Sequence, residues 1–581
     1  MKKFFLLTTL LFILTLSLSL LSSCKKEEPS RARLKEDEEP APLTQTHECV
    51  FTQYCSYDEH FKRCVICDAE VDRGTHSTDG EYCTDCDAPT APDPDILYTV
   101  SDDGTYAVVT GYTGENTKIR IAEEYNGVPV KEIGELALSK VMSQGKVNCP
   151  VDLTMLIIPD GVTHIGAKAF RYSAIENVVL PANLEIGENV FEGYDLKNVA
   201  IPDGITEIGT KAFYNCQYLE SISLPDSLIK IGKGAFYKSG LKNLNLPSNI
   251  QTIEYSAFCE SDLTTLIIPE GITSIAGETF AFCTSLTVVS IPSSVTTIND
   301  RAFELCSLLT DVRISDGVSE ISYNAFSRCT SLTKFSVSKN NALYMASGGD
   351  IYTRDGKTLV MCAPGKTEMS IPKGVTTIGE SAFYYCESLT SIELPDSLTT
   401  IGDNAFSWCT SLTSIELPDS LTTIGKYAFY GCTSLTSIEL SDSLTTIGDN
   451  AFYYCTSLTS IIIPDSVTVI GGCAFSYCTK LSQVKMSKNV VEIGYAAFSA
   501  CYKLSEITLP ATLTTIGRQA FLACFELKQI TIPSSVTSMD WHAFEACQNL
   551  TIHCEVAEKP DGWDSHWYHD CKSVVWGSTG E

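Results

Sequence analysis

Basic residues are scarce in this sequence of 581 residues: 41 Lys and Arg stand against 71 Asp and Glu, for a formal net charge of −30. A chain this acidic repels nucleic-acid phosphates and anionic lipid headgroups, so we expect no nucleic-acid partner. Glycine-rich phosphate loops are missing as well. The eight histidines fall mostly in a cysteine-rich segment or near the C-terminus, and none recurs beside a repeated serine or cysteine as a general base would. These deficits predict that the protein is not an enzyme.

The N-terminus carries the features of an export signal. Lys2 and Lys3 precede an apolar run from Phe4 to Leu20, and Leu21-Ser22-Ser23-Cys24 follows. This ending resembles the lipobox of bacterial lipoproteins, which implies that Cys24 becomes a lipid-modified mature N-terminus. The alternative is an uncleaved signal anchor, because the run is nearly long enough to span a membrane.

The first interpretation divides the N-terminal region into a signal peptide, residues 1–24, and a tether, residues 25–46. The tether is charged, contains proline and has few large apolar residues, so we expect it to be disordered. We therefore expect a location in the bacterial cell envelope, on the outer surface, with contact to the membrane through the lipid alone.

A cysteine-rich segment, residues 47–90, follows the tether. Cys64 and Cys67 form one CxxC pair, and Cys83 and Cys86 form a second pair after 15 intervening residues. Two such pairs at this separation are typical of a site for one structural zinc ion with four thiolate ligands. The competing interpretation is a small module stapled by disulfides, since exported proteins mature in oxidising compartments.

Self-comparison shows a phenylalanine that recurs at nearly constant spacing, usually as Ala-Phe. The spacing is 21 to 23 residues in a first group of eight and 23 in a second group of eight. The two groups are Phe170, Phe191, Phe213, Phe236, Phe258, Phe280, Phe303 and Phe326, then Phe383, Phe406, Phe429, Phe452, Phe475, Phe498, Phe521 and Phe544. A fixed period in this range predicts a solenoid in which each unit buries its apolar face only against its neighbours.

Each repeat also predicts its own local structure. Leu412, Ile415 and Leu417 follow the LxxLxL strand pattern of leucine-rich repeats, and Pro418 ends the strand because it has no N–H. The segment from Gly402 to Cys409 is expected to form a short helical turn. The fold class is therefore predicted to be an α/β repeat, a leucine-rich-repeat solenoid with a continuous parallel β-sheet on its concave face and short helical turns opposite.

The rest of the chain is assigned around this solenoid. Strand-like runs with Asp-Gly and Asn-Gly turns predict an N-terminal β cap over residues 91–132. The solenoid covers residues 133–550, with a hairpin insert at 338–366 where Asp355-Gly356 separates two strand-like runs. A tryptophan-rich segment, residues 551–581, loses the repeat phase and is expected to form a C-terminal cap.

The repeat unit LPDSLTTIGDNAFSWCTSLTSI, the insert GGDIYTRDGKTLVMCAPGK and the C-terminal GWDSHWYHDCKSVVWG resemble the BspA-like leucine-rich-repeat family of bacterial surface proteins. The resemblance covers about Ile96 to Gly577. It implies an adhesin or antigen that binds protein ligands, with host matrix proteins such as fibronectin and fibrinogen among the candidates. A structural envelope lipoprotein without an external ligand is the alternative, and a surface enzyme is a weaker one.

In a parallel solenoid, the outward-facing strand positions form the interaction surface. Thr413, Ser414 and Glu416 are such positions, and Glu393 and Glu439 are the equivalents of Glu416 in the adjacent repeats. Neighbouring glutamates about 5 Å apart repel each other. They are interpreted either as solvated residues of duplicated repeats or as a site for a cation or a basic ligand.

Two isoleucines and a row of cysteines are the last candidate functional residues in the sequence. Ile267 and Ile462 occupy the glutamate-equivalent position and are predicted to make apolar contacts with a ligand. Twelve cysteines lie three residues after a repeat phenylalanine, a spacing that suggests a metal or redox ladder. Because Ser173, Tyr194 and Ser239 fill the same position elsewhere, we predict buried free thiols instead.

Overall fold

The computed structural model describes residues 51–55, 59–64, 70–75, 89, 91–140, 142–143, 146–181, 183–193 and 196–578. All of them belong to one compact unit, Cys49–Glu581. An antiparallel three-stranded sheet begins the described part and comprises Phe51–Cys55, Glu59–Cys64 and Glu70–Thr75. The strands that follow it are arranged mainly in two rows, because most repeats contribute one strand to each row.

The first row contains the strands of the LxxLxL pattern. Its members are Lys118–Arg120, Met155–Ile157, Asn177–Val179, Asn198–Ala200, Ser221–Ser223, Thr265–Ile267, Val288–Ser290, Asp311–Ile314, Lys334–Val337, Glu368–Ser370, Ser391–Glu393, Ser414–Glu416, Ser437–Glu439, Ser460–Ile462, Gln483–Lys485, Glu506–Ile507, Gln529–Ile532, Thr551–Cys554 and Ser573–Trp576. Every pair of neighbours that is hydrogen-bonded within this row is parallel, as in Ser414 opposite Ser437 and Glu416 opposite Glu439.

The second row contains shorter strands, typically Thr-Ile. Its members are Val128–Ile133, His164–Ile165, Glu207–Ile208, Lys230–Ile231, Thr252–Ile253, Ser274–Ile275, Thr297–Ile298, Glu320–Ile321, Thr377–Ile378, Thr400–Ile401, Thr423–Ile424, Thr446–Ile447, Val469–Ile470, Glu492–Ile493, Thr515–Ile516 and Ser538–Met539. The remaining strands are Ile96–Val100, Ala107–Tyr112, Glu124–Tyr125, Met142–Ser143, Lys146–Val147, Tyr344–Ser347, Asp350–Thr353, Thr358–Met361, Phe544–Glu545 and Tyr568–His569.

The predicted continuous sheet is not found in the first row, which is divided into short sheets. From the hairpin onward the second row is continuous instead, in an 11-stranded sheet that runs from Tyr344–Ser347 to Ser538–Met539, whereas before the hairpin both rows are divided. Where the first row is interrupted, the distance from Thr413 N to Thr390 O is 3.4 Å, and where it is paired, the distance from Thr436 N to Thr413 O is 3.0 Å. Both distances are within hydrogen-bonding range, so neighbouring repeats remain joined where the first-row strands are interrupted.

Glycine permits a close approach of neighbouring repeats next to the second row. A Cβ on Gly425 would lie 2.6 Å from the backbone nitrogen of Asp403, and a Cβ on Gly471 would lie 2.7 Å from that of Asp449. Both distances are well inside van der Waals contact, so only a residue without a side chain fits there. The resulting bond from Gly425 N to Ile401 O is 2.9 Å long.

The predicted helical turns are wrong, because no residue of the described part is in a helix. In the segment Gly402–Cys409, Asn404 and Trp408 have left-handed backbones, with φ of 55° and 62°. The N–H groups of Asn404, Phe406 and Trp408 donate to carbonyls of the next repeat, and those between them close local turns. Left-handed residues at every fourth position interrupt a right-handed helix. The segment is therefore a series of turns that are hydrogen-bonded to the equivalent turns of the next repeat.

The repeat phenylalanines form the core, as predicted. Neighbouring rings stack in parallel with centroids between 4.6 and 5.6 Å apart in both groups of eight. The rings are almost fully buried, and burying an aromatic ring of this size contributes about 2 to 3 kcal/mol per repeat. Phe335 ends the first stack by meeting Phe326 edge-on at 5.3 Å, and Trp567 meets Phe544 edge-on at 6.1 Å at the end of the second.

The predicted hairpin lies between the two stacks. Asp350–Thr353 pairs antiparallel with Thr358–Met361 around Asp355-Gly356, and Gly356 has a φ of 67° as a tight turn requires. The strand Thr358–Met361 then pairs in parallel with Thr377–Ile378, so the hairpin is built into the second row. The buried side chains accordingly form two hydrophobic clusters that divide at the hairpin.

Candidate binding surface

The first-row strands expose alternate side chains at regular intervals. In Ser414–Glu416 the serine and the glutamate face solvent and Ile415 is buried, and Ser391–Glu393 and Ser437–Glu439 repeat the pattern. Because Glu416 lies directly opposite Glu439, the glutamates are stacked in register. The structure thus brings the predicted binding residues Glu393, Glu416, Glu439 and Ser414 onto one exposed face.

Thr413 belongs to the same face, but its hydroxyl already has a partner. Its Oγ1 donates to the carbonyl oxygen of Thr390 at 3.5 Å, and Thr436 donates in the same way to Thr413 at 3.1 Å. These bonds join consecutive repeats along the edge of the first row. The threonine column therefore stabilises the stacking of the repeats through its hydroxyl groups. The exposed side chains of Ser414 and Glu416 remain accessible to a ligand.

The predicted isoleucines are exposed. Ile462 has 61% of its surface accessible and Ile267 has 41%, which is unusual for isoleucine in a chain whose other repeat isoleucines are mostly buried. Ile462 follows Glu439 in the outward column and lies opposite Lys485. The column therefore changes from acidic through apolar to basic over three consecutive repeats.

The remaining predicted site residues lie outside the described side chains. This applies to Cys24, and to Cys67, Cys83 and Cys86 of the predicted zinc set. Of Cys64 only the backbone is described, at the end of the strand Glu59–Cys64. Within the described residues, there is no helix of sufficient length and apolarity to cross a membrane.

The repeat cysteines are free and buried, as predicted. Their thiols donate to the preceding repeat, for example from Cys432 Sγ to the carbonyl oxygen of Phe406 at 3.2 Å and from Cys455 Sγ to that of Phe429 at 3.2 Å. Burial raises the pKa of the Cys432 thiol to about 12, so the thiol is protonated and poorly nucleophilic at neutral pH. The thiols act as hydrogen-bond donors that join repeats.

Aromatic residues on the turns are the feature that the sequence analysis missed. In the motifs AFYYC, AFSWC, AFYGC, AFYYC and AFSYC, the aromatic residues between the phenylalanine and the cysteine are partly exposed and touch from repeat to repeat. Tyr454 and Tyr477 are 41% and 40% exposed. The signal was present in the sequence as an aromatic one or two positions after the repeat phenylalanine in five consecutive units.

Comparison with known families gives one clear match. The model described as a BspA type leucine rich repeat region (6 copies) matches residues 146–262, 251–346, 362–470 and 445–574. These ranges cover most of the described part and leave out residues 347–361, where the hairpin strands lie. No curated protein sequence matches the chain.

Several solved structures are similar to this chain. A leucine-rich cell surface protein from Faecalibacterium prausnitzii is 31% identical over 68% of this chain and 94% of its own, with a TM-score of 0.43. A leucine-rich repeat protein from Eubacterium ventriosum is 20% identical over 74% and 93%, with a TM-score of 0.42. The pneumococcal vaccine antigen PcpA is 17% identical over 84% and 98%, with a TM-score of 0.38.

Proposed function

Since the chain belongs to the BspA-type leucine-rich-repeat family, we propose that it is a bacterial surface lipoprotein that binds protein ligands, with host matrix proteins as its targets. An adhesin is the form of this function that the resemblance to the BspA-like family implies. A leucine-rich-repeat solenoid presents an extended, regular surface and is typically a binding scaffold.

The observation that carries the proposal is the outward column of Glu393, Glu416, Glu439 and Ile462. These side chains are exposed and come from consecutive repeats, so they form one patch that combines charge with an apolar residue. Three stacked carboxylates attract a basic segment of a partner, and the adjacent exposed isoleucine adds apolar contact area.

The test is binding of fibronectin and of fibrinogen to the compact unit Cys49–Glu581, measured by surface plasmon resonance. The variant Glu393→Gln, Glu416→Gln, Glu439→Gln should weaken binding by about tenfold, with a smaller dependence on salt. The matched control is Asp396→Asn, Asp419→Asn, Asp442→Asn, which removes the same charge from exposed turns at the same spacing. Equal weakening by both variants would indicate a general effect of net charge and would contradict a specific site.

Surface location is the second part of the proposal and has its own test. Cys24→Ala should release the protein from membrane fractions or block its processing, because no acyl chain could then be attached. Protease added to intact cells should degrade the wild-type protein if it faces outward. A wild-type protein that is shielded from protease would instead favour a structural role within the envelope.

We also propose that Cys64, Cys67, Cys83 and Cys86 hold one structural zinc ion, on the strength of the spacing of the two pairs. Zinc would order this segment, and the function of the solenoid would not depend on it. Native mass spectrometry of the intact protein should show one zinc and thiols that react only after chelation. A protein without metal that contains disulfides in this segment would favour the competing interpretation.

A further inference from the structure

The turns after the hairpin present a continuous patch of aromatic rings, here called the aromatic strip. It consists of Tyr385, Trp408, Tyr430, Tyr453, Tyr454 and Tyr477. Tyr385 and Trp408 are parallel and stacked at a centroid distance of 5.8 Å, and Tyr430 stacks on Tyr453 at 5.1 Å. The strip crosses consecutive repeats, so a ligand could contact several rings at once.

The backbone conformation of the turns orients the side chains of the aromatic strip. Trp408, Tyr454 and Tyr477 all have φ near 60°, in the left-handed region where bulky side chains are uncommon. Gly431 occupies the same position in the repeat between them, and a Cβ there would lie 2.9 Å from the Trp408 ring. The glycine therefore lets the indole lie over the next turn, which leaves the strip without a gap.

At several other turns, a cation of the chain itself lies over an aromatic ring. The guanidinium of Arg518 lies 4.5 Å from the Trp541 ring centroid, and Lys233 lies 5.3 Å from that of Tyr255. Arg328 stacks on Tyr385 at 4.1 Å, at one end of the strip. Among the described residues, no lysine or arginine stacks on the other five rings of the strip.

The protein that carries these five rings is acidic, with a net charge of −30. On the turns of the same repeats, Lys426 pairs with Asp449 at 3.0 Å, and its backbone N–H donates to Asp403 Oδ1 at 2.7 Å. Exposed aromatic rings on an acidic protein attract guanidinium groups, which stack on rings and are more weakly hydrated than ammonium groups.

We propose that the aromatic strip is a second docking surface, which binds arginine-bearing segments of partner proteins by stacking guanidinium groups on its exposed tyrosines. Arg328 on Tyr385 is the geometry that a partner's arginine would repeat at Tyr454 and Tyr477. The inference rests on the protein-binding function proposed above and assigns it a surface separate from the outward glutamate column.

The experiment uses the full chain and three short fluorescent peptides in which glycine alternates with arginine, with lysine or with citrulline. Wild-type protein should bind the arginine peptide about tenfold more tightly than the lysine peptide of equal charge, and the neutral citrulline peptide least. The strip variant Trp408→Asn, Tyr454→Asn, Tyr477→Asn should lose this preference. Asparagine is chosen because Asn215 holds the same backbone position with a φ of 64°.

The matched control is Phe282→Asn, since Phe282 is an aromatic at the same repeat position, 39% exposed and outside the strip. It should leave the preference for arginine unchanged, and thermal unfolding should show both variants folded. Equal binding of the arginine and lysine peptides by wild-type protein, or a preference that survives in the strip variant, would overturn the inference.

Two further outcomes separate the possible conclusions. If a neutral glucan oligosaccharide binds the wild-type protein and not the strip variant, while the arginine peptide binds both equally, the strip is a carbohydrate surface and the inference is wrong. If fibronectin or fibrinogen binding is lost in the glutamate variant, while the strip variant retains both that binding and its arginine preference, the inference fails and the proposed function stands.

Discussion

The Sγ of Cys432 donates a hydrogen bond to the carbonyl oxygen of Phe406 in the preceding repeat at 3.2 Å. The same carbonyl accepts the backbone N–H of Cys409, so it holds its own turn closed and receives the next repeat as well. Serine behaves differently at this position: Ser261 Oγ donates to Phe258 within its own repeat at 2.7 Å. The reach of the cysteine side chain therefore decides whether the bond joins two repeats.

Cys432→Ser is expected to lower the free energy of unfolding by about 1 kcal/mol, because the hydroxyl would turn to Phe429 and the bond between repeats would be lost. Urea unfolding followed by circular dichroism measures the change. The reciprocal variant Ser261→Cys should be neutral or slightly stabilising, by reaching the carbonyl of Phe236. If both Cys432→Ser and Ser261→Cys lower the free energy of unfolding, side-chain volume determines stability at this position and the hydrogen bond does not.

Alkaline pH should destabilise the solenoid through its thiols. Burial raises the pKa of Cys216, Cys283, Cys432 and Cys478 to about 12 from 9.0. A thiol whose pKa is raised on folding contributes fully below its unfolded pKa, and the contribution is lost as pH rises from about 9 to about 12, at about 1.4 kcal/mol per pH unit for each thiol. Urea midpoints between about pH 8 and about pH 10 should fall, and less steeply in Cys432→Ala.

Phe429→Ala should cost about 3 to 5 kcal/mol, because it opens a cavity in the middle of the second phenylalanine stack. Phe429 packs between Phe406 and Phe452, with centroids at 5.1 and 5.2 Å. Hydrogen exchange should increase in the repeats after the hairpin while the repeats before it stay protected, since the hydrophobic clusters divide there.

Phe236→Ala, in the first stack, is the mirror control for that experiment. It should increase exchange before the hairpin and leave the second stack protected. If either substitution loosens the whole chain uniformly, the hairpin does not separate two cooperative units.

Lys366→Met should destabilise the hairpin by about 3 kcal/mol, because it leaves Asp350 buried without its partner. Lys366 Nζ lies 2.6 Å from Asp350 Oδ2, and the two side chains are 15% and 3% exposed. The double variant Asp350→Asn, Lys366→Met should recover part of the loss, since no buried charge remains. Hydrogen-exchange protection of the amides of residues 350–361 measures the stability of the hairpin in the single and the double variant.

The same pair has a pH signature. Desolvation raises the pKa of Asp350 above its ordinary value even though Lys366 opposes the shift. A carboxyl with a raised folded pKa favours folding most when it is protonated, so its contribution is lost as pH rises. The deficit of Lys366→Met relative to wild type should therefore shrink as pH falls toward about 4, and a deficit independent of pH would contradict the buried-charge explanation.

Glu393→Gln, Glu416→Gln, Glu439→Gln should leave the free energy of unfolding unchanged or raise it slightly, because it relieves repulsion between carboxylates in register. Thermal unfolding at low and high salt checks this, and the gain should be larger at low salt. A marked loss of stability would mean that the glutamates hold the first row together.

Much of the fold could be predicted because the repeat phenylalanines, alanines and leucines are local and periodic. Phe429 and its fifteen equivalents were located from spacing alone, and the Asp355-Gly356 turn from its own two residues. The exposed positions of Glu416 and Ile462 followed from strand alternation. Helical turns were the wrong prediction, because the left-handed backbone at Asn404 and Trp408 depends on hydrogen bonds to the next repeat, which no single unit reveals.

By itself, the sequence determined the solenoid and the inside and outside of its strands, since burying one apolar face per period admits few other arrangements. Tertiary structure decided the rest through contacts between repeats. Glycines such as Gly425 allow close approach beside the second row, which is continuous from the hairpin onward, and the thiol of Cys432 turns toward Phe406. The rings of Trp408, Tyr430 and Tyr453 became one surface only because a parallel solenoid stacks equivalent residues about 5 Å apart.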